Sequence, residues 1–350
     1  MAKKTNAKDG YAELTAAITA GEIGSLYIFH GEERYLLERG LENLRQSLCP
    51  DGLDSFNYKR YDGAILPDDL DHAIDTLPAF ADRTLIEIHD YDIFKNEKRE
   101  RLLEIFSQLP EYVCVVFVYN TVPYKPDGRQ KINSAIVKSA CVIEFAIQDQ
   151  SKLIKWIIRH FQAGGKQISA KDAEYLAFIT GGLMAPLSGE IEKTAAYAKE
   201  ETVTRWDIDA VVTPVLDAVA YKLTDALIRR DYQNAMVILD ELLQMKEAPH
   251  RLIYVISLKM RELLAARICI ENGQGIEILM EMCGIRFPFQ AKTLFETARK
   301  TTLAECRSAV KACAETAYEL NSGSDQESMI TELIAKLGNL SVARPRGGGI

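Results

Sequence analysis

The first chemistry to look for in a chain that opens with a short β-rich run is a phosphate-binding loop, and its place is directly after that run, Leu26 to His30 (LYIFH). Such a loop needs glycines that let backbone N–H groups turn inward, a lysine for the β and γ phosphates, and a Ser or Thr hydroxyl for magnesium. The residues present are His30, Gly31, Glu32, Glu33, Arg34 and Tyr35, which supply neither the glycine run, nor the lysine, nor the hydroxyl. Two adjacent carboxylates repel a triphosphate. Gly31, Glu32, Glu33 and Arg34 are therefore expected to form a degenerate, empty phosphate loop, with Glu32 and Glu33 as a solvated helix start favoured by the helix dipole.

Other catalytic arrangements are equally thin. His30, His72, His89, His160 and His250 form no HExxH or other metal-ligand spacing, and no GxSxG nucleophile motif occurs. His89-Asp90 could serve as an acid–base pair, but an exposed strand terminus accounts for it as well. The seven cysteines contain no CxxC pair and fit neither a disulfide framework nor a zinc site, so they read as reduced packing residues; Cys306 and Cys313 share one helix face and are expected in the core. Gly164-Gly165 and Gly181-Gly182 read as helix terminators. No catalytic residue, metal or cofactor is expected.

One segment invites a different chemistry, that of contact. Thr76-Leu77-Pro78-Ala79-Phe80-Ala81-Asp82-Arg83 places a leucine and a phenylalanine in a tight turn. Pro78 breaks the preceding helix, so Leu77 and Phe80 are free to point outward together as apolar anchors for a partner's pocket. The plainer alternative is that both cap the protein's own core.

These residues have to be positioned by elements whose grammar changes near residue 147. Before it, β-rich runs alternate with helical periodicity: Leu26 to His30, Phe56 to Tyr61, Thr84 to Ile88, Val113 to Tyr119 and Cys141 to Phe145. The run VCVVFVY is apolar throughout, as a central parallel strand covered on both faces requires. Leu37, Leu41, Leu44 and Leu48 make one helical face, and Leu66, Leu70, Ile74 and Leu77 another. After Gln148 the strands stop. Ser169 followed by Asp172, and Thr204 before RWDIDAVV, open helices of a small helical domain. From Val215 come long amphipathic segments, AYKLTDALI, AMVILDELLQM, RLIYVISLKMRELLAARICI, AKTLFETARK and LAECRSAVKACAETAYEL. In the third of these, Leu258, Met260, Leu264 and Ile268 offer more apolar face than one helical layer needs, although such stripes are usually intramolecular core.

Bulk properties limit the function classes. At 350 residues and 47% hydrophobic the chain can build several cores, so two or three domains are expected. From Thr213 onward 17 basic and 17 acidic residues cancel, so the net charge of -8 falls on the first 212 residues. No basic run with interleaved aromatics tracks a nucleic-acid backbone, so any work on DNA is expected to go mainly through partners. Met1 to Gly10 is polar and Leu26 to Phe29 is too short for a signal core or a membrane span, which points to a cytoplasmic protein.

In order and spacing, the stretches LYIFHGEERYLLERGLENL, FNYKRYDG, TLPAFADRTLIEI and VCVVFV resemble the first domain of the delta subunit family of bacterial DNA polymerase III clamp loaders. KLIKWIIRHFQAGGKQIS, GEIEKTAAYA, SLKMRELLAAR and CGIRFPFQAKTLFETARK are similar to that family's later domains. The resemblance implies an α/β plus all-α chain: a degenerate AAA+-like parallel-sheet domain over 1–147 that binds the clamp, a small helical lid over 148–212, a helical collar that oligomerises over 213–338, and a disordered tail over 339–350. It further implies a subunit without ATP hydrolysis of its own, which binds the sliding clamp (the beta subunit), meets the tau/gamma motor subunits and delta prime through the collar, and reaches primer-template DNA mainly through the assembly. Within the family's clamp-binding pattern of leucine, phenylalanine, alanine and arginine, Phe80, Ala81 and Arg83 match; Ala79 replaces the leucine, and Leu77 is the upstream residue that could supply the missing contact. Two rivals from other classes are an active AAA+ ATPase and a helical adaptor unrelated to replication.

Overall fold

The computed structural model describes residues 10–49, 54–79, 81–228, 231–244, 248–320 and 326–340. The chain folds as two compact units, Met1–Gln148 with Leu183–Ala185, and Asp149–Gly182 with Pro186–Ile350.

The first unit starts with α1 (Gly10–Ala20), followed by β1 (Leu26–His30), α2 (Arg34–Leu48), α3 (Asp54–Asn57), β2 (Tyr58–Asp62), α4 (Pro67–Asp75), β3 (Thr84–His89), α5 (Arg99–Ser107), β4 (Val113–Val118), α6 (Lys131–Ser139) and β5 (Cys141–Glu144). The five strands form one parallel sheet in the order β2-β3-β4-β1-β5. Every residue of β4 is buried, because it lies between β3 and β1 with helices on both faces, the environment its unbroken apolar run demands. Alternation sorts the side chains: Ile28, Ile86, Ile88, Val115 and Phe117 join Leu70, Ile74, Leu102, Ile105 and Ile136 of α4 to α6 in one core layer. The other face carries Glu87 of β3 toward Arg45 of α2, whose Leu37, Leu41 and Leu44 are completely buried. Each such leucine contributes about 1.5–3 kcal/mol by burial.

The second unit holds the segment expected as a collar and, apart from Gln148 and Leu183–Ala185 of the first unit, that expected as a lid. In it follow α7 (Gln150–Ala163), β6 (Gln167–Ile168), α8 (Ala170–Ile179), α9 (Met184–Tyr197), β7 (Thr202–Val203), α10 (Arg205–Val211), α11 (Leu216–Ile228), α12 (Tyr232–Gln244), α13 (Pro249–Glu271), α14 (Ile276–Cys283), α15 (Pro288–Ala298), α16 (Leu303–Glu319) and α17 (Gln326–Leu340). Ser169 caps α8 by accepting from the Asp172 N–H, and Thr204 with Asp207 forms a capping box on α10, as the spacing predicts. The 23-residue α13 is the spine: Leu252, Ile253, Ile256 and Met260 pack with α11, α12, α16 and α17, while Leu263, Ala266 and Cys269 pack with α14 and α15. Of the stripe singled out in the sequence, Met260 is buried, Leu258 and Leu264 are half-buried and Ile268 is exposed.

Five expectations need correction. Residues Phe56 and Asn57 end a helical turn, so the second strand begins at Tyr58. Leu66 and Leu77 lie outside α4 and are 62% and 70% exposed, because Pro67 starts the helix and the chain leaves it after Asp75, before Pro78; only Leu70 and Ile74 hold the buried face. Strands do not stop at Gln148, since β6 and β7 pair in a two-residue parallel ladder. Cys141 is exposed on the edge strand β5, unlike the buried Cys306 and Cys313. Residues 339 and 340, expected in the tail, end α17, while the expected tail over 341–350 lies outside the described residues. Among the described residues no helix is long and apolar enough to cross a membrane.

Candidate partner-binding loop and degenerate phosphate site

At the carboxyl ends of β1, β4 and β5 lies a cleft of about 550 Å³, lined by His30, Gly31, Glu32, Arg34, Asn120 and Tyr124 among others. This is where an open α/β sheet places its ligands. Here the chain fills the position with its own groups. Gly31 has φ +135°, and a Cβ there would meet the Phe145 carbonyl oxygen at 2.2 Å, so only glycine fits. The Glu33 N–H donates to Phe145 O (3.0 Å) and the Arg34 N–H to Glu32 O (3.1 Å), which commits amides that a phosphate cradle would aim at its ligand. The Arg34 guanidinium donates to the carbonyls of Tyr119 (2.7 Å) and Asn120 and to Asn120 Oδ1 (3.0 Å). His30 stacks on Tyr124 with ring centroids 4.1 Å apart, and burial lowers its pKa against an opposing pull from Glu144.

The carboxylates of this loop part company. Glu32 is exposed, but Glu33 is buried at the N-cap of α2, and its carboxylate accepts from the Met184 N–H (3.3 Å). The solvated reading thus fails for Glu33, because closure of the loop onto Phe145 carries it inward.

His89-Asp90 is not an exposed terminus either. His89 is buried against Glu87, and Asp90 adopts φ +56° so that its Oδ1 accepts from the N–H groups of Asn120 (2.8 Å), Thr121 (2.6 Å) and Val122 (3.2 Å). Burial alone would raise the Asp90 pKa; the three amide donors outweigh it and hold the carboxyl below 3.8. A depressed folded pKa adds stability above the unfolded value and loses it as pH falls through the folded one. Asp90→Asn should accordingly cost about 1–2 kcal/mol at neutral pH, and its deficit should shrink below pH 3.8. Denaturant titrations across pH check this; a deficit independent of pH would reject it.

At the opposite, amino end of β3 lies the 76–83 turn. Leu77 projects into solvent at 70% exposure and Ala79 is half-buried. Phe80 lies outside the described residues. Arg83, expected among the partner-binding residues, turns inward: its guanidinium donates to the carbonyls of Ile23 (2.5 Å), Gly24 (3.1 Å) and Val113 (3.0 Å) and to Ser25 Oγ (3.3 Å). Two residues that sequence reasoning did not single out hold the same turn. The Asn57 side-chain amide accepts from the Ala79 N–H and donates to the Ala79 carbonyl, both at 2.7 Å, and Lys59 Nζ donates to Thr76 Oγ1 at 2.8 Å. Local spacing gives no signal of either, since each reaches across about 20 residues to its partner.

Comparison with known proteins bears on this arrangement. The profile of the family described as "DNA polymerase III, delta subunit" matches residues 27–146, and that of "DNA polymerase III delta subunit, C-terminal domain" matches residues 217–336. DNA polymerase III subunit delta of Bacillus subtilis is 24% identical over 327 residues, covering 91% of this chain and 93% of that one. A probable DNA polymerase III subunit delta of Aquifex aeolicus is 22% identical over 280 residues, covering 75% and 77%. Among solved structures, the Bacillus subtilis DNA clamp loader delta protein superposes with a TM-score of 0.57 at 22% identity, covering 94% of this chain and 99% of that one, which shows a shared fold.

Proposed function

The chain belongs to the family of DNA polymerase III delta subunits, and from that premise we propose that it binds the sliding clamp and holds it open for loading onto primed DNA, without hydrolysing ATP itself. The observation that carries the reading is the 76–83 turn: an exposed Leu77 on a segment pinned by Asn57, Lys59 and Arg83. Rigid presentation of apolar anchors is what a partner's pocket requires.

In this reading Leu77, Ala79 and Phe80 enter a hydrophobic pocket on one clamp protomer, and Arg83 serves by fixing the base of the turn. A binder shifts a conformational equilibrium only by the difference in its affinity for the two states, so the turn must fit the opened ring better than the closed one. The absence of own ATP turnover is supported by the loop at Gly31 to Arg34, where the Arg34 guanidinium and the Glu33 and Arg34 amides already have internal partners. The second unit supplies the collar toward the tau/gamma motor subunits and delta prime, and DNA is reached mainly through that assembly. Family membership retires the unrelated helical adaptor.

Titration of the purified chain against a fluorescently labelled sliding clamp tests the proposal, with ATP added in a parallel arm. Saturable binding at micromolar or lower concentration, unchanged by ATP and with no phosphate released, is expected. Failure to bind at tens of micromolar would sink the clamp reading, and phosphate release by the chain alone would sink the claim about ATP.

A further inference from the structure

We propose that Asn57 is a positioning residue for clamp binding: its buried amide holds the 76–83 turn in the shape the partner receives, without touching the partner. The inference rests on the reading of this turn as the clamp contact.

The geometry is specific to an amide. Asn57 is completely buried, and its side chain both accepts from and donates to the same residue, Ala79, at 2.7 Å in each direction. That reciprocal pairing imitates a strand neighbour, and an aspartate could supply only the acceptor half. Asn57 is itself fixed at the junction of α3 and β2, where its carbonyl accepts from Cys49 Sγ at 3.4 Å. Lys59 anchors Thr76 on one side and Arg83 anchors the far end through Ile23, Gly24 and Val113. The anchors therefore fall at positions 76, 79 and 83. Leu77 lies in sequence between the first and second, and position 80 between the second and third.

Such spacing matters energetically. Ordering a free loop residue costs about 1–2 kcal/mol, and a turn already held in its bound shape avoids that cost on association. The middle anchor, at Ala79, is the one that neighbours both apolar positions, 77 and 80, in sequence.

The test uses the full-length chain with Asn57→Ala and Asn57→Asp, read by clamp affinity and by hydrogen exchange at the Ala79 amide, with Phe80→Ala as the control on the underlying reading. Asn57→Ala should bind the clamp about tenfold more weakly, equivalent to ~1.4 kcal/mol, and should exchange its Ala79 amide faster, while Asn57→Asp, which keeps the acceptor but sets a buried carboxylate against the Ala79 carbonyl, should bind no better than Asn57→Ala. Faster exchange with affinity within twofold of wild type would overturn the proposal, as would weaker binding with exchange unchanged, since that pattern means the lost affinity does not act through the Ala79 hydrogen bonds. If Asn57→Ala does not fold, the wild-type chain decides: its Ala79 amide should exchange slowly before the clamp is added, as a turn already held requires, and fast exchange there would overturn the proposal. Should wild type and Phe80→Ala bind equally well, the contact reading is the one that fails; wild-type binding that depends on Phe80 but not on Asn57 isolates the failure to this inference.

Discussion

Phe80→Ala should weaken binding of the sliding clamp by more than about 2 kcal/mol, roughly thirtyfold, the range of an aromatic anchor in a desolvated pocket. Leu77→Ala should cost less, about 1 kcal/mol. The pair is informative because Leu77 is 70% exposed and has little to lose in the folded chain. Thermal stability of Leu77→Ala should stay within about 0.5 kcal/mol of wild type, so any loss of affinity belongs to the interface. Position 79 gives a sharper form of the same test. If Leu77 supplies the apolar contact that Ala79 cannot, adding Ala79→Leu to Leu77→Ala should restore most of the affinity. Equal binding by wild type, Phe80→Ala and Leu77→Ala would move the clamp contact off this turn altogether.

How far the sequence announces this arrangement depends on the range of the interaction. All five strands of the sheet are legible, the central three because LYIFH, TLIEIH and VCVVFV carry their burial in their own composition, and the largely exposed edge strands β2 and β5 by their place between helical segments. The α2 face is legible for the same reason, with Leu37, Leu41, Leu44 and Leu48 spaced for one side of a helix and all buried. Helix α1 escapes notice: its only buried large apolar side chain is Leu14, among alanines that mark no face. A ladder of two residues, such as β6 with β7, is too short to show a period. Charged and amide side chains are the least legible. Glu33 looks solvated until its loop closes on Phe145, more than a hundred residues away, and Asn57 looks like a strand residue until Ala79 arrives beside it. Arg83 reads as a surface contact in a linear motif, whereas four acceptors from β4 and the approach to β1 draw it inward.

The strand that carries the turn depends on a buried charge cluster, and Glu87→Ala should destabilise the chain by about 3–5 kcal/mol. Glu87 lies on β3 with its carboxylate fully buried. Arg45 donates to both oxygens, at 2.7 and 2.6 Å, while Tyr58 OH (3.1 Å) and His89 Nε2 (3.0 Å) meet Oε2. Burial by itself would raise the carboxyl pKa, but hydrogen bonds from His89 and Arg45 more than offset it and hold the group below 4.5. Its contribution is therefore present at neutral pH and is lost as pH falls through that lowered value, so wild type should lose stability on acidification where Glu87→Gln loses less. Truncation to alanine leaves Tyr58, His89 and Arg45 facing a void, and Arg45, about one-third exposed, can recover solvent while His89 cannot. Replacing the set with apolar residues of similar volume, as in Glu87→Leu with Arg45→Met and His89→Leu, should cost far less than the single truncation, because no buried charge is left without a partner. Chemical denaturation of the three forms measures this directly. Clamp affinity per folded molecule should stay within twofold of wild type in all of them, since the anchors of the 76–83 turn are Asn57, Lys59 and Arg83 and none belongs to the cluster; a loss of affinity that tracks the loss of stability would mean that the sheet itself, and not its three anchors, sets the shape of the turn.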